Sequence, residues 1–132
     1  MAAMPVPVRV KLAALWATLM SLYIYNDYFQ LYRPGAIAKM SAGQMGPLGP
    51  ATDTVLIAVS VMLAIPALMI SLSVITPAVI SRWLNVLFAV AYTGIEILTF
   101  RGGYLAYEII VALEIGITLL ILYYALRWPR DG

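Results

Sequence analysis

The sequence predicts an all-α membrane protein, a four-helix transmembrane bundle with antiparallel neighbours. Three observations predict it. First, 64% of the 132 residues are hydrophobic and only 11% charged, against roughly 45–50% apolar and 25% charged in soluble domains. A soluble domain of this length has too little interior to hide that much apolar surface. Second, the apolar residues fall into four runs, each close to the roughly 20 residues that cross a bilayer. Third, the runs are punctuated by Arg33-Pro34-Gly35, Thr76-Pro77 and Arg101-Gly102-Gly103, where proline removes a donor and glycine releases a helix. The chain therefore reads as a single domain, 1–132, with spans at about 10–32, 53–75, 77–100 and 104–128 and one outer loop at 33–52.

The first span follows a short tail, residues 1–9. Arg9 and Lys11 before the apolar run from Leu12 imitate the start of a signal peptide. The run continues into Tyr23-Ile24-Tyr25-Asn26-Asp27 without a small-residue cleavage site at the right distance, so a retained helix is expected. At helical spacing Trp16, Met20, Tyr23, Asp27 and Gln30 share one face. A carboxylate in lipid costs roughly 2.5–3.5 kcal/mol on insertion scales, so the other helices are expected to cover that stripe.

The loop that follows ends in Gly46-Pro47-Leu48-Gly49-Pro50, and Ala36–Met45 within it suits a short interfacial turn. The second span opens at Thr52-Asp53-Thr54, whose short oxygen side chains cap the first amides, with Asp53 expected as a cap. Ser60, Ala64, Ala67 and Ser71 make a small-residue packing face, and Pro66 predicts a kink. Thr76-Pro77 joins spans two and three in a tight hairpin. The fourth span ends at Trp128-Pro129. Tyr28, Tyr32 and Tyr104 suit one interfacial belt; Tyr123, Tyr124 and Trp128 suit the other. Arg9, Lys11, Arg82, Arg127 and Arg130 fall on one side, against Arg33, Lys39 and Arg101 on the other. This asymmetry places both termini in the cytoplasm.

Cysteine and histidine are absent, which removes disulfides, zinc and haem sites and Ser-His-Asp catalysis. Neither lysine lies within an apolar run, so a retinal Schiff base is excluded. No cofactor, metal site or catalytic residue is expected. The net charge of +2 comes from residues at span ends; it suits membrane lipids and not nucleic acid, since no basic cluster exists.

What remains for chemistry is oxygen. Asp27, Glu96 and Glu108 each lie about five residues from the outer end of a span, some 6–8 Å below the boundary at roughly 1.5 Å per residue. Glu114 lies roughly 9 Å deeper than Glu108 and about 120° around the helix. Asn85, Tyr92, Glu96 and Thr99 align on span three; Tyr107, Glu114 and Thr118 align on span four. Asp27, Glu114, Tyr23, Tyr107, Glu96, Glu108, Asn85 and Tyr92 are thus the candidate substrate- or cation-binding residues. Carboxyls at such depth carry protons or coordinate a cation with tyrosine and amide oxygens. The plainer alternatives are specific too. Glu96 and Glu108 are near enough to a span end to snorkel or pair with Arg33 or Arg101, and Asn85 can simply bond a neighbouring helix. Glu114, about ten residues from either end, has no such cheap structural use.

The pieces Tyr23-Ile24-Tyr25-Asn26-Asp27-Tyr28-Phe29, Leu31-Tyr32-Arg33-Pro34-Gly35 and Tyr123-Tyr124-Ala125 with Trp128-Pro129 resemble a family of small bacterial four-span proteins of unknown function, over nearly the whole chain. In plan the chain is also similar to DoxX-like proteins. The resemblance implies a multi-pass protein of the bacterial inner membrane and no known activity. The leading expectation is a transporter or channel for protons, a cation or a cationic solute. A non-catalytic membrane subunit or lipid- or small-molecule-binding protein is the alternative, and a lipid- or quinone-linked enzyme the second. Four short helices offer little interior, so a homo-oligomer is expected, with a small-molecule or cation ligand.

Overall fold

The computed structural model describes residues 6–45, 49–99 and 105–128, without the side chains of Thr99 and Ala106. Five helices follow one another: α1 Val8–Gln30, α2 Ala36–Ser41, α3 Asp53–Ile75, α4 Ala78–Thr99 and α5 Leu105–Leu126. All but α2 are long and apolar enough to cross a membrane, and no strand occurs among the described residues. The four long helices close into a ring in chain order. α1 lies between α3 and α5, and α4 packs extensively on α5 and more sparsely on α3. The protein is a four-helix bundle whose lipid-facing surface stays apolar because bilayer and core want the same side chains.

The core is centred on Leu12, Trp16, Leu19, Met69, Ala89, Ile121 and Ala125, each fully buried. Large residues from α1 fill the space that smaller ones on α4 and α5 leave, as close packing requires. At one end Arg9 of α1 donates to Thr76 O at 2.5 Å and Val74 O at 3.4 Å, capping α3. Arg82 of α4 likewise donates to Ala125 O at 3.1 Å and Leu126 O at 3.0 Å, capping α5. Last-turn carbonyls lack intrahelical donors and carry the negative end of the helix dipole, so a guanidinium serves both needs. Arg9 also lies over Trp128, Lys11 over Tyr124 and Arg127 over Tyr123. This is the arginine end; the opposite one, beyond Gln30, is the loop end.

There α1 stops as its last amides tighten to three-residue bonds, Leu31 to Tyr28 O, Tyr32 to Phe29 O and Arg33 to Gln30 O. Gly35 reverses the chain at φ 81°, a conformation that costs a side-chain-bearing residue more. Three local expectations change. The interfacial turn is the short helix α2. The cap of α3 is Thr52, whose hydroxyl accepts from Val55 N at 3.2 Å, while Asp53 is the first helical residue and serves the dipole instead. Ser60, Ala64, Ala67 and Ser71 are all exposed, because α3 turns Pro66, Met69 and Ser73 inward; the small-residue face does no packing within one chain. Arg101, Tyr104, Arg130 and residues 46–48 lie outside the described residues.

Candidate functional site

Three helices bring oxygen together midway along the bundle. Glu96 of α4 accepts from the Tyr23 hydroxyl of α1 at 2.5 Å and from Thr118 Oγ1 of α5 at 2.8 Å. Thr93, one turn before Glu96, lies 2.7 Å from Thr118 through its own hydroxyl. Each threonine can instead bond its own helix, Thr93 to Ala89 O and Thr118 to Ile115 O. A threonine hydroxyl has one proton, so the line Thr93, Thr118, Glu96 has more than one proton arrangement at the same heavy-atom positions. Glu96 is 3% exposed and Glu114 4%.

Glu114 lies one turn from Thr118 on the same face of α5. The register of α4 on α5 sets it level with Glu96. Glu114 Oε2 is buried and has no hydrogen-bond partner. More than nine in ten buried polar groups are satisfied; among the described residues this oxygen and Trp128 Nε1 are the exceptions. Burial at low dielectric disfavours two bare carboxylates, so such a site suits a proton or a cation.

The other candidates divide. Asn85 is fully buried and wholly engaged: Trp16 Nε1 donates to its Oδ1 at 2.7 Å, and its amide donates to Ser81 O at 2.8 Å and Ser73 Oγ at 3.2 Å. It locks α1, α3 and α4. Tyr92 donates to Met62 O at 2.5 Å. Pro66 has no N–H for that carbonyl four residues earlier, and the tyrosine replaces the missing donor. Tyr107 and Glu108 are half-buried near the start of α5 and make no hydrogen bond to the Glu96–Glu114 pair.

Two placements differ from the sequence expectation. Asp27 is exposed, not covered. The face that α1 buries runs through Leu12, Trp16, Leu19 and Asn26, and Asp27 lies about 100° around from Asn26. Glu96 and Glu108 also do not share a level. Thr93 and Glu96 both meet Thr118, and Arg82 meets Ala125. In that antiparallel register Glu96 lies level with Glu114, and Glu108 lies nearer the loop end. Thr93 carried one signal, its place one turn from an intramembrane acid. Asn26 carried none, because its inward turn depends on how α1 is rotated in the bundle.

Fold and site together define a small multi-pass helical membrane protein with a carboxyl pair enclosed among its spans. The chain belongs to the family of unknown function DUF6326, which matches residues 8–132. No curated protein and no solved structure matches it, and the similarity in plan to DoxX-like proteins is not shown by these comparisons.

Proposed function

We propose that this protein is a small transporter or channel for protons, a cation or a cationic solute, with Glu114 as the group that takes and releases the charge. The observation that carries the proposal is the Glu114 Oε2 atom, buried and unbonded beside a second carboxyl. An acid kept only to hold helices together is expected to be bonded as completely as Asn85 is. Glu96, oriented by Tyr23 and Thr118, is the second stop, and exposed Asp27 is the first reached from outside the bundle. Among the described residues no group of three or more acids converges, which favours a proton or monovalent charge over a divalent ion.

The Glu114→Gln protein in liposomes tests this, because the amide keeps size and hydrogen-bonding capacity but cannot release a proton. Flux driven by a pH gradient is expected in the parent protein and lost in the variant. Equal flux in both across a pH series would show that the carboxyl's proton is irrelevant.

We also propose that the arginine end faces the cytoplasm of a bacterial inner membrane. Arg9, Lys11, Arg82 and Arg127 gather there, against Arg33 and Lys39 at the loop end. A reporter fused after Arg130 is expected to stay cytoplasmic and one inserted at Ser41 to be exported; the reverse pattern overturns the orientation.

A further inference from the structure

The Asn26 side chain is only 6% exposed, yet it is half engaged. It lines an open pocket of about 340 Å³ at the loop end, between α1 and α5, with Phe29, Gln30, Pro34 and Ile110 among the walls. That volume is within the range of small-ligand sites. Arg33 Nε donates to Gln30 Oε1 at 2.7 Å, and Gln30 Nε2 donates to Asn26 Oδ1 at 3.4 Å.

These two bonds fix which way Asn26 turns. Arginine has donors and no acceptor, so Gln30 gives it the oxygen and keeps its nitrogen for Asn26. Asn26 answers with its own oxygen, and its amide nitrogen is left over. Among the described residues that nitrogen meets no acceptor. Asn85, the other asparagine of the chain, marks the contrast, since its oxygen and its nitrogen are both bonded. A donor without a partner on a buried side chain is costly, and the pocket is the space where a partner fits.

The donor is an uncharged amide, and Phe29, Pro34 and Ile110 are apolar, so the matching partner is an uncharged oxygen on an apolar molecule. Depth agrees with this. The 23 residues of α1 span roughly 34 Å at 1.5 Å per residue, against a hydrocarbon core of about 30 Å. Gln30 therefore lies near the boundary and Asn26 one turn inside it, the level of lipid ester groups.

We infer that this pocket binds an uncharged carbonyl group, an ester or ketone on an apolar molecule, which accepts from the Asn26 amide. The carbonyl can come from a membrane lipid or from a small apolar compound of the same chemistry. The inference stands apart from the transport proposal, because its test reads binding and not flux.

The test uses the side-chain amide signals of the full chain, labelled at asparagine, in maltoside micelles, whose detergent has no carbonyl. Asn26 and Asn85 are the only asparagines, and either Asn26→Gln or Asn26→Leu identifies the Asn26 signal by removing it. Three additions are compared: dioctanoylglycerol, its diether analogue dioctylglycerol, and methyl hexyl ketone. The Asn26 signal is expected to shift saturably with a carbonyl compound and not with the diether, while Asn85 stays in place. A shift with the diester alone assigns the carbonyl to a lipid, and a shift with the ketone assigns it to a small apolar compound. Ile110→Trp narrows the pocket without touching the bonds of Asn26, and it is expected to abolish the shift. No shift with either carbonyl compound, an equal shift with the diether, an equal shift of Asn85, or an undiminished shift in folded Ile110→Trp overturns the inference. If Ile110→Trp does not fold, the comparison of diester, ketone and diether in the parent protein still decides it.

Discussion

The two halves of the bundle treat buried polarity in opposite ways. Toward the arginine end Arg9 and Arg82 cap the open carbonyls of α3 and α5, and Asn85 ties together Trp16, Ser73 and the Ser81 carbonyl. Trp128 Nε1 is the exception there, buried without a hydrogen-bond partner beneath Arg9. Toward the loop end the carboxyl pair has a bare oxygen and Asp27 is exposed. Both halves hold polar residues where lipid or core would exclude them. The difference is completeness: satisfied groups specify which helix meets which, and an unsatisfied one is left able to bind something.

The contrast breaks first, and most heavily, at Asn85. Asn85→Leu strands the Trp16 indole N–H and removes three hydrogen bonds at once. Interhelical bonds in membranes average about 0.6 kcal/mol, and a stranded buried donor adds about 1–3 kcal/mol. A loss of roughly 3–5 kcal/mol in denaturant titrations in micelles is expected. An unchanged midpoint would mean that the network does not hold the helices.

A smaller effect is expected at Tyr92. Tyr92→Phe leaves the Met62 carbonyl without its donor and is expected to cost about 1 kcal/mol in the same titration. Pro66→Ala restores a backbone N–H to that carbonyl, so the tyrosine should matter less in the double variant. Equal costs in both backgrounds would separate the tyrosine from the proline.

The four spans were legible in the sequence because run length and Pro-Gly punctuation are local properties. That Glu114 is too deep to snorkel was legible for the same reason. Which way each side chain points was not, since that depends on how the helices rotate and run against one another. Asp27 and Asn26 are adjacent, and the packing of Leu12, Trp16 and Leu19 decides which of them turns inward. Glu96 and Glu108 are equally far from a span end in the sequence, yet the register of α4 on α5 sets Glu96 level with Glu114 instead. The hydrogen bond between Thr93 and Thr118 needed the register of α4 against α5. The outward turn of Ser60 and its partners needed the rotation of α3.

The central claim is that Glu114 sits in the bundle at a cost to stability that packing does not return, while Asn85 is there for stability itself. Melting temperatures of Glu114→Met and Asn85→Leu, measured side by side in the same micelles, test this by sign. Methionine fills a similar volume without a polar atom, so it removes the burden of a buried oxygen with no partner. Glu114→Met is predicted to melt above the parent protein and Asn85→Leu below it. A drop for Glu114→Met as large as that for Asn85→Leu would contradict the account, because the carboxyl would then be one more fastening of the fold.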